Sequence, residues 1–310
     1  MKTKKINELL RQARLDIGLK QKEACENIMD IPSYSRVESG KKKIDFDQIV
    51  GVLGNLSLSL EEFIAAYVRP EIEENVRLYF SRLVKELPSE QSYEEILELY
   101  EKLKLGYPDL EFDELGVYFD IKSYFHKSNP QIIMPVTRKE LKSIVEKIKR
   151  SNRKRFFSED YRLIGHNIMN MEKEEIIEIV DIIFPVENSY FITDQSKKFL
   201  SLIFLNTITP MLKAKEYDVV ERLLNIAKEH YFLYADSYYY RLHLKYLENM
   251  YLFLTSNDLD NMEKVADFIK TLEFIGDTND AELIREEVKG LLDGRGSDGL
   301  SQHAIVIAKL

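Results

Sequence analysis

Three groups of side chains in this sequence have types and spacings that could do chemistry. The first is Arg36 with Lys41, Lys42 and Lys43, in "SYSRVESGKKKID". A guanidinium can bond O6 and N7 of one guanine together, worth about 1–3 kcal/mol of discrimination between bases. Lysines beyond a helix end suit phosphates, contacts that position a duplex without reading it. The second group is the basic run "KIKRSNRKRFFSEDYR", with Lys147, Lys149, Arg150, Arg153, Lys154 and Arg155. It is either a solvated helix end or an anchor for an acidic group or chain-terminal carboxylate, with Arg150 and Arg153 as its candidates. The third is a pair of amides in apolar surroundings, Asn167 in "RLIGHNIMNM" and Asn206 in "KKFLSLIFLNTITPMLKAK". A buried amide needs partners. These are a neighbouring backbone or the backbone of a bound peptide, and the sequence leaves both open. Tyr240 and Arg241, in the aromatic-rich "DSYYYRLHLKYLENMYLFL", are further candidates to line a concave face.

Catalytic patterns are missing. There is no glycine-rich phosphate loop, no H-E-x-x-H and no nucleophile elbow, so the chain does not read as an enzyme. His166 reads as a packing residue. No metal site is expected from Asp16, Asp45 or Asp47, which fit caps and turns, and no cofactor is implied. The one cysteine, Cys25, rules out an intrachain disulfide framework and a multi-cysteine zinc site. It reads as a buried, unreactive thiol, with a redox-sensitive or dimer-linking thiol as the alternative.

The elements that position the first group are short helices. Ile6, Leu9, Leu10, Ala13 and Ile17 make one helical face, which Gly18 ends. A second helix is expected from Gln21 to about Ile28. A third starts at Asp30, a good N-cap, with Pro32 in the first turn where its missing N–H costs little. It stops at "ESG", with Gly40 as the terminal glycine. Further helices fit Phe46–Leu53 and Ser59–Tyr67, the last with a capping box of Ser59 and Glu62. Five short helices with a tight link between the second and third describe a helix-turn-helix domain, whose third helix enters the major groove. Tyr34 and Val37 face its core.

From about Pro70 the chain reads as helix after helix, with stripes such as Leu141, Ile144, Val145 and Ile148 and no strand pair. An apolar pattern recurs at Ile176, Ile179, Ile182 and Ile183, at Tyr217, Val220, Leu223 and Leu224, and at Leu259, Met262, Val265 and Ala266. A second helix fits between each pair. Paired helices at this period suggest a solenoid of the tetratricopeptide (TPR) kind. The segment around Asn206 is apolar nearly all round, as a central buried helix is. The expected organisation is all-α: a head over 1–66, a TPR-like repeat over 67–293, and a loose tail over 294–310, either native or a non-native extension, which holds glycines but no helical pattern.

The bulk numbers fit two domains in 310 residues, with 45% hydrophobic and 31% charged side chains. No run of about 18 apolar residues exists, so no membrane span is expected. The N-terminus is basic but lacks the apolar core of a secretory signal, and a cytoplasmic location is the default. The net charge is −9, but residues 1–66 hold 11 Lys/Arg against 10 Asp/Glu. A small DNA-binding head on an acidic body is compatible with this, because only the contact face must be basic.

The pieces "LLRQARLDIGLKQKEACENI", "SYSRVESGKKKIDFDQIV" and "LSLSLEEF" closely resemble the lambda-Cro-repressor (XRE-type) family. That resemblance implies roles by position. Gln21 would hold a phosphate. Arg14 and Glu38 would form a buried ion pair tying the first helix to the third. Ile31, Pro32, Ser33 and Arg36 would take base-facing positions. Ser35 and Lys41–Lys43 would meet the backbone. Pro32 and Ile31 depart from the pattern, since neither can hydrogen-bond a base through its side chain. Direct readout then rests on Arg36, with Ser33 lesser and DNA shape supplying part of the specificity.

The head joined to about five helical hairpins resembles the Rgg/GadR/MutR regulators, within the Gram-positive peptide-sensing group that includes PlcR and PrgX. The resemblance implies a homodimer paired through the C-terminal parts of its repeats. It implies an inverted-repeat DNA site, and an imported short signalling peptide on the concave face that alters DNA binding or contact with RNA polymerase. A repeat domain that binds a protein partner instead of a peptide is the alternative.

Overall fold

The computed structural model describes residues 5–67, 75–87, 89–151, 153–187 and 191–293. The described residues form helices and no strands. The expected tail over 294–310 lies outside them. The chain divides into two compact units, Met1–Tyr93 and Glu94–Leu310.

The first unit opens with α1 (Ile6–Asp16), α2 (Gln21–Ala24), α3 (Ile31–Glu38), α4 (Phe46–Asn55) and α5 (Leu60–Tyr67). Their apolar faces close on one core, in which Leu10, Ala24, Tyr34 and Val52 are wholly buried and Phe63 and Leu53 nearly so. Gly18 and Gly40 take the left-handed backbone that stops α1 and α3, with φ of 76° and 72°. The Asp30 carboxylate accepts from the backbone N–H of Ser33, and Pro32 sits in the first turn. Ser59 and Glu62 cap α5 reciprocally.

One boundary moved. α2 ends at Ala24, not near Ile28, because Asn27 turns left-handed at φ 62°. The Asn55 amide fixes that turn by donating to the carbonyls of Ala24 and Glu26. A helix shortened by a bond from 29 to 31 residues away leaves no local trace in the sequence. The unit also reaches past residue 66, to take in α6 (Val76–Lys85) and the first turn of α7 (Glu90–Gly106).

The second unit continues with α8 (Phe112–Phe125), α9 (Arg138–Arg150), α10 (Ser158–Asn167), α11 (Lys173–Ile183) and α12 (Asp194–Lys213). Then come α13 (Tyr217–Glu229), α14 (Tyr238–Ser256), α15 (Leu259–Phe274) and α16 (Thr278–Asp293). One row runs α8, α10, α12, α14, each helix packed on the next. α9 and α11 pack together outside it, and α13 and α15 pack on the row as hairpin partners. This is a TPR-like arrangement of hairpins. The recurring apolar pattern falls on α11, α13 and α15, the second helices of their hairpins. The segment expected to be central is α12, which packs on α10, α13, α14 and α16.

Unit two also holds a buried ionic hub. Lys122 of α8 reaches Glu140 of α9 at 2.5 Å, and both are nearly solvent-free. Glu140 also accepts from the Tyr118 hydroxyl at 2.8 Å and from the backbone N–H and hydroxyl of Thr137. Burial opposes the charge on Glu140, but Lys122 and Thr137 outweigh it and hold the carboxyl below its ordinary range. Burial, then Glu140, pushes the Tyr118 phenol far up.

Candidate functional site

The candidate reading face belongs to α3. Ile31, Pro32, Ser35 and Arg36 are exposed, and Ser33 is half-buried. Tyr34 and Val37 point the other way, into the core. The Gly40 turn folds the chain back so that the amides of Lys41 and Lys42 both donate to the Arg36 carbonyl. That places three exposed lysines directly behind the exposed arginine. None of the four forms an ion pair with a carboxylate among the described residues, so the face presents positive charge, with the Asp30 carboxylate near Lys42.

The ion pair that fixes this face is present. Arg14 grips Glu38 through two bonds, Nε to Oε1 at 2.6 Å and Nη2 to Oε2 at 2.9 Å. Its third nitrogen donates to the Leu19 carbonyl. The fork geometry ties α1, the loop after it and the end of α3 into one piece. Burial opposes charge on Glu38, but the Arg14 and Gln21 bonds prevail and lower its pKa.

Two expected DNA contacts are partly committed elsewhere. The Gln21 amide donates to Glu38 Oε2 at 2.8 Å, so one of its two N–H groups is spent inside the unit. The Ser33 hydroxyl donates to Asp30 at 2.9 Å, reinforcing the helix cap. Each keeps capacity for a ligand, but neither is idle. Cys25 is buried, and burial raises its thiol pKa, as an unreactive cysteine requires.

In the second unit the six expected peptide contacts do not converge. Asn167 faces inward, 2% exposed, and its amide donates to the Leu163 carbonyl one turn back. That commits one of its two amide N–H groups within its own helix. Asn206 donates at 2.7 Å to the Gly165 carbonyl and so clamps α12 to α10. Its amide also took the backbone partner. Arg150 pairs with Glu146 on its own helix, and Arg153 pairs with the buried Asp160. Tyr240 lines a cavity of about 690 Å³ between α12 and α14, together with Lys198, Leu202 and Tyr239. Arg241 lines a different cavity, of about 400 Å³ between α13 and α14, with Tyr231 and Tyr238.

The row of inner helices carries a polar cluster that the sequence reading passed over. Asp120 of α8 is 3% exposed and accepts from Arg162 and His166 of α10, each at 3.0 Å. Arg162 and His166 both lie over or against the Phe199 ring of α12. Gly165 between them lets the helices close. A Cβ there would stand 3.3 Å from the Phe199 carbonyl oxygen and 3.6 Å from Leu202. Leu202 in turn lines the α12–α14 cavity, so the cluster and the cavity are joined through one side chain. The lone acid Asp120 in the apolar "GVYFDIKSYF" was the available signal, since a charge there must find a partner.

Fold and sites together define a class: a helix-turn-helix unit joined to a unit of TPR-like helical hairpins. Residues 160–286 match the family model described as the HTH-type transcriptional regulator Rgg, C-terminal domain. A solved point mutant of PrgX superposes with a TM-score of 0.77 at 17% identity, over 99% of this chain and 100% of that one. A PrgX/cCF10 complex gives 0.73 at 18% identity, over 93% and 92%. The Streptococcus dysgalactiae SHP pheromone receptor Rgg2 gives 0.70 at 12% identity, over 92% and 99%. None of the curated proteins matches the sequence. Among the described residues, no single helix is long and apolar enough to cross a membrane.

Proposed function

We propose that this chain is a sequence-specific, homodimeric DNA-binding transcription regulator whose repeat unit responds to a short signalling peptide. The observation that carries the DNA reading is the exposed, unpaired Arg36 with Lys41–Lys43 behind it, on a helix locked by the Arg14–Glu38 pair. In this reading Arg36 reads a base, the lysines and Ser35 meet phosphates, and Ile31, Pro32 and Ser33 shape the contact. Residues 1–66 carry that work and 67–293 the sensing, in the cytoplasm, with RNA polymerase as a further contact.

For the peptide, the α12–α14 cavity with Lys198, Leu202, Tyr239 and Tyr240 is the favoured seat, and Arg162 with His166 extends it across α10. Structures of similar fold include a bacterial peptide pheromone/receptor complex and the SHP pheromone receptor Rgg2, which supports this reading. A concavity of this size also supports a peptide over a constitutive protein partner, which would favour a flat apolar patch. Homodimerisation through the C-terminal helices is supported by exposed apolar residues at the α15–α16 corner, Phe274 at 90% and Leu283 at 62%.

Footprinting on the chain's own promoter region tests the DNA reading. Two half-sites related by two-fold symmetry, about one helical turn apart or a multiple, are the expected result. A footprint without that symmetry overturns the dimeric reading. Native mass spectrometry with short-peptide extracts from the host tests the peptide: a dimer carrying one peptide per chain is expected.

A further inference from the structure

The basic run has a structural counterpart that the proposed peptide seat does not use. Tyr107, Pro108 and Phe112 form an apolar shelf at the α7–α8 corner, and α9 runs beside it. Together they enclose an open groove of about 900 Å³. Five cations border it: Lys139, Lys142 and Lys147 on the α9 face, Arg150 at its end and Arg153 just beyond. Lys139 to Arg150 spans about 16 Å at 1.5 Å per residue, the reach of roughly five extended residues. Lys139 and Lys142 are exposed and pair with no carboxylate among the described residues. Residues 67–310 as a whole hold 33 Lys/Arg against 43 Asp/Glu, so this concentration of unpaired cations runs against the body's charge.

The groove's chemistry selects among polyanions. Phe112 is not a stacking platform, because the Arg153 guanidinium already lies 4.1 Å from its centroid and Lys147 5.2 Å. Tyr107 stacks on Tyr118, with its hydroxyl given to Ser143. Nucleobases therefore find no ready aromatic face. Two carboxylates, Asp109 and Glu146, interrupt the cations, which a continuous phosphate backbone would meet at a cost. An apolar shelf beside spaced cations suits a chain that alternates acidic and apolar side chains.

We infer that this groove docks an acidic segment of a partner protein, with its carboxylates on Lys139 and Lys142 and an apolar side chain against the exposed Pro108 ring. Arg153 sits at the groove's far end and also holds Asp160, the residue whose carboxylate caps the start of α10 by accepting from the Phe157 amide. Occupancy there reaches the helix that carries Arg162 and His166.

The test uses the full chain and a fluorescein-labelled short peptide of glutamates interrupted by two phenylalanines. Saturable anisotropy binding is expected. It should weaken by about tenfold in Lys139→Glu/Lys142→Glu, which replaces two attractions by repulsions. A second double variant, Lys264→Glu/Lys289→Glu, carries the same net charge at exposed positions elsewhere and should bind as the parent does. Equal binding by both variants and the parent overturns the inference, as does equal loss in both. A labelled oligothymidylate that binds more tightly than the peptide, with the same dependence on Lys139 and Lys142, assigns the groove to nucleic acid and overturns the choice of partner. The expected outcome is independent of whether the α12–α14 cavity takes a signalling peptide.

Discussion

A buried carboxylate ties two helices together in each unit, Glu38 in the first and Glu140 in the second, and the two pins differ in how they are built. Glu38 in the first unit is held by a forked guanidinium, two bonds from Arg14, with Gln21 as a third donor. Glu140 in the second is held by a point charge, Lys122, with the Tyr118 hydroxyl and Thr137 filling its remaining lone pairs. Arginine supplies direction and needs few helpers, whereas lysine supplies charge and leaves geometry to its neighbours. The difference follows from the task. In the proposed function the first pin orients one short helix whose outer face meets DNA. The second only has to hold α8 and α9 together as a hairpin.

The largest effects expected are from breaking the pins. Glu38→Ala leaves Arg14 buried without its counter-charge and should cost about 3–5 kcal/mol. Lys122→Ala does the same to Glu140, at a similar cost. Calorimetry of the whole chain should show the early transition moving in the first variant and the late one in the second, or the reverse. One shared shift in both would break the comparison, because it would mean that the units unfold as one. Lysine in place of Arg14 sharpens it: a point charge cannot supply both bonds, so the variant should stay folded yet lose DNA affinity.

Acid should act on both pins in the same direction. Both carboxyls have folded pKa values below the ordinary 4.5. Their contribution is therefore complete above that value and is lost as pH falls through the folded pKa. Melting followed downward from about pH 5 should show this loss, and Glu38→Gln should flatten the acid slope of one transition alone. A slope unchanged in that variant would remove Glu38 as its source.

The same contrast describes what was legible in the sequence. In the head, Arg14 and Glu38 stand where the resemblance put them, and Tyr34 and Val37 face the core as the helix reading placed them. Helix length failed only at α2, where Asn55 intervenes from α4. In the repeat, periodicity gave the hairpins and the buried α12 but not the site. Asn167 and Asn206 stand out as amides in apolar stretches, and both bond to backbone carbonyls. Asp120 and Lys122 were equally conspicuous, as charges in an apolar helix, yet their partners lie 18 to 46 residues away. Helical period tells which way a side chain points. It does not tell which neighbouring helix supplies the partner.

The proposed reading face should respond in graded steps. Arg36→Ala should cost about 1–3 kcal/mol at the best site and little elsewhere, so sequence preference relaxes. Lys42→Ala should weaken all sites alike and reduce the slope of log K against log salt by about one. Binding titrations at several salt concentrations separate the two. If Lys42→Ala changed preference, or Arg36→Ala only the slope, the roles assigned to the two residues would be exchanged.

Ser33 offers the smallest and most discriminating change. Its backbone amide donates to Asp30 whatever its side chain, so Ser33→Ala keeps the cap and loses only the hydroxyl bond to the same carboxylate. If the hydroxyl serves the cap alone, DNA affinity should stay within about twofold of the parent, as for an ordinary surface change. A larger loss, confined to some operator variants, would show that the hydroxyl leaves Asp30 to meet a base. The head would then read sequence with two side chains, not one, and the proline in its first turn would have cost it less than the bare sequence implies.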